Sequence, residues 1–170
     1  FDFGRDATAN FFCTPVGDSE DGGFRARITA SGWNNEQGPT APRIARGRWV
    51  HLAVVLDADR RTLSIYADGR RVGRAADVSV LLTEVLDAEN PEANHLYFGR
   101  SHHEGDPTLR GRMHDLRIYQ ITLTDQQVVT VRNNALPEGA VDTTDAQETQ
   151  EEGTTDMTAD GDLFPFASEI

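Results

Sequence analysis

Few residues of this chain have the types and spacing that enzyme chemistry needs. Hydrolysis of a glycosidic bond uses two carboxylates held close together, and no strand-like segment carries a Glu-x-Asp-x-x-Glu-like array of acids. The one cysteine, Cys13, follows two phenylalanines, a setting that favours an inert, buried thiol. Ser101 stands beside His102 and His103, but adjacency in sequence does not produce a catalytic triad, so a solvated loop is the simpler interpretation. We therefore predict that this segment is not itself catalytic.

Metal binding has a wider set of candidates. His102 and His103 could bind a transition metal, whereas Asp106 and Asp115 could supply the hard oxygen ligands of a structural calcium ion. The competing interpretation places the histidines in a solvated loop and treats Asp115 as a buried acid bonded to backbone or to an arginine. A single cysteine excludes an internal disulfide and a multi-cysteine zinc site.

Carbohydrate binding needs flat aromatic faces beside fixed hydrogen-bonding groups, because a sugar presents C–H patches and hydroxyls together. One loop has this chemistry and contains Trp33, Asn34 and Asn35. The alternative for Trp33 is packing over the end of a sandwich. A second candidate group lies at the end of a later strand and consists of Tyr97, Arg100 and His102.

The acidic charge of the chain is concentrated towards its C-terminal end. Ten of the 28 acidic residues follow Pro137, where there is no basic residue. The body before that point has 18 acids against 16 arginines, a net charge of −2. Such a body lacks the basic face that nucleic acid or an anionic lipid surface requires. No apolar run approaches the roughly 18 residues of a membrane span, so membrane insertion is not expected either.

The elements that would position these residues are short strands. Alternating or continuous apolar patterns predict strands over 24–30, 49–56, 62–66, 95–100 and 112–121. Asp68-Gly69 predicts a hairpin turn, and Thr124 predicts the start of a short helix that extends to about residue 132. Trp49 and His51 share one face of an apolar strand, so both are predicted to be interior residues. Many short strands with one late helical turn are typical of an all-β sandwich.

The composition changes after residue 136. Residues 137–162 are rich in Thr, Asp and Glu and are predicted to form an acidic linker, since they offer too little apolar surface to fold. Residues 163–170 include the apolar run Leu163-Phe164-Pro165-Phe166. They are expected to begin a further module or to form a docking segment. The predicted organisation is therefore one globular module over 1–136, followed by a linker.

Four ordered segments resemble a known family: "GRWVHLAVVLD", "TLSIYADGRRVG", "HLYFGRS" and "GRMHDLRIYQITLTDQQV". In this order they are similar to the bacterial laminin G-like, concanavalin A-like jelly-roll modules, and "FDFG" with "FFCTP" fits the preceding strand of that family. The resemblance covers about residues 1–132. It implies a two-sheet antiparallel jelly roll and a secreted or cell-surface accessory module beside a glycoside hydrolase.

The resemblance also directs attention to particular residues. Relatives hold a structural calcium near the last strand, which points to Asp115, although His114 stands where the family often has an acid. Relatives also begin with strands upstream of "FDFG", so an N-terminal segment is expected to complete the module.

The function predicted from these observations is noncatalytic binding of a glycan or support of a neighbouring catalytic domain. A structural or protein-binding spacer is the alternative from a different class. Membership of a glycoside hydrolase whose catalytic residues lie outside this chain comes third. An exposed Trp33 favours binding, whereas a buried Trp33 favours the spacer.

Overall fold

The first of two antiparallel sheets is built mostly from the N-terminal part of the chain. The computed structural model describes residues 1–17 and 22–135, which lie within one compact unit. Its members in chain order are β1 (Asp2–Asp6), β2 (Ala9–Thr14), β3 (Phe24–Thr29), β4 (Thr40–Ala41) and β8 (His95–Tyr97). They are arranged in the order β4-β3-β2-β1-β8.

The second sheet contains β5 (Leu52–Asp57), β6 (Thr62–Ala67) and β7 (Arg70–Ala75), with β6 in the centre. The predicted hairpin at Asp68-Gly69 is confirmed between β6 and β7. Both turn residues have positive φ, 51° and 79°, as the tight two-residue hairpin turn requires. A side chain at Gly69 would also meet the Arg132 side chain at 3.0 Å, so this turn packs closely against the last helix.

Among residues 1–17 and 22–135, the helices are short. The helix predicted after Thr124 is confirmed as α2 (Asp125–Arg132), and Thr124 and Gln127 cap each other reciprocally at its first turn. The four-residue α1 (Leu82–Val85) and two 3-10 turns, Trp33–Asn35 and Pro91–Ala93, lie in the connections between strands.

The main core lies where the two sheets face each other. Phe24, Ile28, Leu63 and Ile65 have no exposed surface, and they pack together with Val85 and smaller residues. Each such side chain contributes about 1.5–3 kcal/mol by leaving water. A second cluster covers the outer face of the β5-β6-β7 sheet and consists of Val55, Tyr66, Leu123 and Val128. These observations confirm the predicted all-β architecture of two antiparallel sheets.

The strand predicted over 112–121 is wrong. No strand is assigned there, and within the described residues β5 has β6 as its only hydrogen-bonded neighbour. Asp115 interrupts the extended backbone with a φ of 57°. Met113, Leu116 and Ile118 stay exposed, Ile118 to 72%. An apolar alternation supplies the side chains of a strand, but the strand forms only where a neighbour pairs with its backbone.

The prediction that Trp49 is a core residue is also wrong. Trp49 lies before the start of β5, and 64% of it is exposed. His51 is only half-buried, and its Nδ1 atom has no hydrogen-bond partner among the described residues, so it is not the satisfied interior residue that was predicted. The predicted strand 95–100 is likewise shorter, ending at Tyr97. The acidic linker over 137–162 and the segment 163–170 lie outside the described residues.

Candidate functional site

The predicted glycan-binding loop lies on a well-supported turn beside the five-stranded sheet. Trp33–Asn35 forms a 3-10 turn, and Trp33 is 68% exposed while Asn34 and Asn35 are also exposed. The turn begins after Gly32, whose φ of 89° is accessible to glycine at little cost. The three residues predicted to act together are therefore presented on one exposed turn.

Hydrogen bonds fix this turn to β3 and to the connection between β1 and β2. Gly32 donates its backbone N–H to the Thr8 carbonyl at 2.8 Å, and Thr29 Oγ1 donates to the Gly32 carbonyl at 2.8 Å. Asn35 Nδ2 donates to the Ser31 carbonyl at 3.1 Å. The backbone that carries the indole is thus held in place while the indole itself remains exposed.

The residues after the turn are held as firmly. Glu36 lies 3.9 Å from the Arg27 guanidinium, and burial lowers the pKa of Arg27 below its ordinary value, an effect that the neighbouring Arg25 charge reinforces. Gln37 pairs with Ile28 through backbone bonds, and its side chain accepts a hydrogen bond from the Ser79 backbone at 2.6 Å. A preorganised turn of this kind loses little conformational entropy when a ligand binds.

The second predicted group is brought together by β8 and the turn that follows it. The Arg100 guanidinium lies 4.3 Å from the centroid of the Tyr97 ring, and the His102 ring lies 4.7 Å from it. The His95 ring stacks beside Tyr97 at 5.8 Å. The sequence prediction that Tyr97, Arg100 and His102 are neighbours is therefore supported by the structure. However, Arg100 occupies a face of Tyr97 that a sugar would use.

His102 is directed inward rather than towards solvent. Its side chain is 4% exposed, and its Nδ1 atom lies 2.9 Å from Oδ1 of Asp2. This approach lacks the angle of a hydrogen bond, so neither ring nitrogen has a hydrogen-bond partner among the described residues. The His102 backbone N–H does donate to Asp2 Oδ2 at 2.9 Å. The expectation of a solvated loop is wrong for His102, which joins the turn to β1.

Ser101 and His102 do not form a nucleophile and base. The Ser101 hydroxyl donates to Asp2 Oδ2 at 3.2 Å, so it contacts the carboxylate and not the imidazole. A triad needs the hydroxyl bonded to the imidazole and the carboxylate on the far side of that ring. The three groups therefore act here as a structural junction between β1 and the turn after β8.

Asp2 is the member of this junction that the sequence analysis did not single out. It is 2% exposed and pairs in register with Tyr97 across β1 and β8. Its position between Phe1 and Phe3 is the signal that could have identified it, because a buried carboxylate requires partners.

The two predicted metal ligands, Asp106 and Asp115, make different contacts. Both carboxylate oxygens of Asp115 accept hydrogen bonds from the Arg117 guanidinium, at 3.0 and 2.9 Å. Asp106 is exposed, and its backbone N–H donates to the His103 carbonyl. No group of three or more His, Cys, Asp or Glu side chains suited to a metal occurs in the part of the chain that the structure describes. This donor set does not fit calcium as arranged, and the calcium site stays a prediction.

The thiol of Cys13 has the environment of an inert residue. Burial raises the pKa of the Cys13 thiol to about 12, although part of the residue reaches the surface. The thiolate that would act as a nucleophile is therefore strongly disfavoured at neutral pH.

A solved structure is similar to this chain. Residues 221–444 of an S-layer domain-containing protein from Clostridium thermocellum match with a TM-score of 0.44 and 27% sequence identity. The match covers 78% of this chain and 61% of the solved one, so the chain spans less than two thirds of that structure. No curated protein gives a significant match in sequence.

A match in sequence assigns the chain to a family, and the two-sheet architecture agrees with that assignment. No helix among residues 1–17 and 22–135 is long and apolar enough to cross a bilayer. A laminin G family model matches residues 3–129, which is most of the chain and includes every strand of the second sheet. This chain belongs to the concanavalin A-like lectin/glucanases superfamily.

Proposed function

We propose that this chain is a noncatalytic carbohydrate-binding module of a secreted or cell-surface bacterial protein that processes carbohydrate. The observation that carries the proposal is Trp33, 68% exposed on a turn whose backbone is fixed by hydrogen bonds. Asn34 and Asn35 are exposed on the same turn and carry amide donors and acceptors. A sugar ring would stack its C–H face on the indole while its hydroxyls bond the amides.

The loop also satisfies the requirement that a binding surface be rigid before the ligand arrives. Its anchors belong to β3 and to Ser79, so the position of Trp33 is set by the sandwich. Membership of the superfamily supports a lectin-like role without naming a ligand. Extracellular location and a neighbouring glycoside hydrolase are parts of the same proposal.

The test is a screen of the chain against plant and host polysaccharides, with Trp33→Ala as the decisive variant. We expect binding by the unaltered chain and, in the variant, at least a ten-fold loss of affinity at the Trp33 turn, about 1.4 kcal/mol. Phe98→Ala is the matched control, because it removes another exposed aromatic side chain outside the loop. Absence of binding to every polysaccharide would overturn the proposal, and full binding by Trp33→Ala would move the site elsewhere.

A structural spacer is the second candidate, and one observation favours it. His102 is buried against Asp2 and Arg100 covers Tyr97, so the second group of residues predicted to bind ligand makes internal contacts. A spacer predicts that Tyr97→Ala lowers the free energy of unfolding and that no variant changes glycan binding. Measuring both quantities on the same variants separates the two candidates.

A further inference from the structure

A second exposed tryptophan, Trp49, precedes β5 of the other sheet, at a position that the sequence analysis predicted to be core. Trp49 is 64% exposed, and its ring meets the His114 ring edge to face with the centroids 6.2 Å apart. His51 shares a face with Ala53 and Val55 by strand alternation, and that face is covered by Leu123 and Val128 at its far end. We call the open end, with Trp49, His51 and His114, the Trp49 face.

Two ion pairs flank the Trp49 face. Arg48 Nη1 lies 2.8 Å from Asp68 Oδ2, and Arg117 Nη2 lies 2.9 Å from Asp115 Oδ2. All four charged side chains remain between 31% and 52% exposed. Asp68 and Asp115 both act electrostatically on His51, which places the two pairs around the same residue.

Hydrogen bonds from and to the flanking charged residues hold the backbone of the Trp49 face in place. Asp68 accepts a hydrogen bond from the His51 backbone N–H at 3.2 Å, while Arg48 also donates to the Trp49 carbonyl at 3.3 Å. Burial lowers the pKa of His51 below its ordinary value, and the Arg132 and Arg117 charges act in the same direction. The neutral form of the imidazole is therefore favoured, and the ring can act as a hydrogen-bonding group.

The charge balance identifies the kind of ligand. Arg48 and Arg117 are each neutralised by an aspartate, so the two pairs beside the indole offer no unpaired charge to attract an ionic ligand, and Arg132 is the further charge that acts on His51. Each pair does present a carboxylate acceptor directly beside guanidinium donors. Neighbouring hydroxyls of a sugar need that combination, since each hydroxyl both donates and accepts.

We propose that the Trp49 face is a second carbohydrate-binding surface, which takes a neutral oligosaccharide by stacking on Trp49 and by bonding its hydroxyls to the Asp68–Arg48 and Asp115–Arg117 pairs. The inference rests on the proposed function, because it assigns a ligand class and a second site to the same activity. It differs in the residues that carry it, none of which belongs to the Trp33 loop.

Calorimetric titration of the whole chain tests the inference. The probes are cellohexaose, xylohexaose and mannohexaose, with hexagalacturonate as the charged comparison. We expect one of the neutral sugars to bind at two sites, and Trp49→Ala to reduce the stoichiometry to one. Asp115→Asn should weaken the affected site about three-fold, because it loses one acceptor. Leu81→Ala, which removes an exposed apolar side chain elsewhere, should change neither quantity.

The outcomes separate this inference from the proposed function. Loss of all binding in Trp33→Ala, with none lost in Trp49→Ala, overturns the second site and leaves the first. Loss confined to Trp49→Ala supports the Trp49 face and overturns the Trp33 site. Preference for hexagalacturonate overturns the neutral ligand class, and no binding to any probe overturns both proposals.

The experiments must also test whether a second copy of the chain covers the Trp49 face. If the chain self-associates and acrylamide fails to quench Trp49 in a Trp33→Phe background, the face is an interface and the inference is overturned. Should Trp49→Ala melt far below the unaltered chain, His114→Ala and Asp115→Asn replace it, because both positions are exposed. Unchanged stoichiometry and affinity in both replacements would also overturn it.

Discussion

The two tryptophans have similar exposure, 68% for Trp33 and 64% for Trp49, but different supports. Trp33 stands on a turn fixed by hydrogen bonds from uncharged groups, among them the Thr29 hydroxyl and the Asn35 amide. Trp49 precedes β5 and is held by a charged pair across the sheet and by an aromatic contact with His114. Exposure alone therefore says little about function, and the surrounding groups decide which chemistry each indole can take part in.

The largest expected effect tests whether both indoles are truly surface groups. Ile65→Ala removes a side chain with no exposed surface and should lower the free energy of unfolding by about 2–5 kcal/mol. Trp33→Ala and Trp49→Ala should each cost below about 1 kcal/mol, as surface changes do. Urea unfolding followed by circular dichroism measures all three. A Trp49→Ala cost equal to that of Ile65→Ala would place Trp49 in the core.

The next largest effect is expected from removing the ion pair between Arg48 and Asp68, which supports Trp49. Asp68→Asn keeps a residue that tolerates positive φ but removes the ion pair with Arg48, so we expect a loss of about 0.5–1 kcal/mol after allowing for solvent screening. The pKa of Asp68 is lowered mainly by the Arg48 hydrogen bond, which shows that the charged form is the one stabilised. In a Trp33→Phe background the emission of Trp49 should shift.

Asp57→Asn is the matched control for that experiment. Asp57 also pairs with an arginine, Arg60, at 2.9 Å and accepts a backbone N–H, but it supports the turn between β5 and β6. Its loss should destabilise the chain without changing the emission of either tryptophan. A shift of Trp49 emission in Asp57→Asn and not in Asp68→Asn would contradict the assigned support.

A smaller effect concerns pH. The folded-state pKa of His51 is lowered, chiefly by burial, from an ordinary value of 6.5. Between the two values the unfolded chain binds a proton that the folded chain does not, so stability falls as the pH drops from about 6.5 through the folded pKa. His51→Gln removes this titration, so the stability of the variant should fall less than that of the unaltered chain as the pH drops through this range. Urea midpoints from pH 7.5 to 5 measure it, and parallel curves would contradict the shift.

The smallest expected difference is between the indoles themselves. Single-tryptophan variants, made by Trp33→Phe or Trp49→Phe, should give Stern–Volmer constants for acrylamide that agree closely, because the exposed fractions are nearly equal. Strong protection of Trp49 alone would show that something covers its face. Strong protection of Trp33 alone would favour the spacer over carbohydrate binding.

Local patterns determined much of the fold. Asp68-Gly69 defined a hairpin because few residues accept positive φ at two successive positions, and Thr124 defined the start of α2 because its hydroxyl can bond the exposed amides of the first turn. The ordered set of segments identified the superfamily. The grouping of Tyr97, Arg100 and His102 also followed from their closeness along the chain.

The tertiary structure decided what those patterns could not. The apolar run that contains Trp49 looks like a core strand, yet burial depends on whether another element covers it, and the described residues place none over Trp49. The alternation in 112–121 specifies side chains but not a pairing partner. Asp2 and His102 lie 100 residues apart, and only the β1–β8 register brings them together. The sequence by itself determined the local turns, caps and family; burial, strand pairing and distant contacts depended on the whole fold.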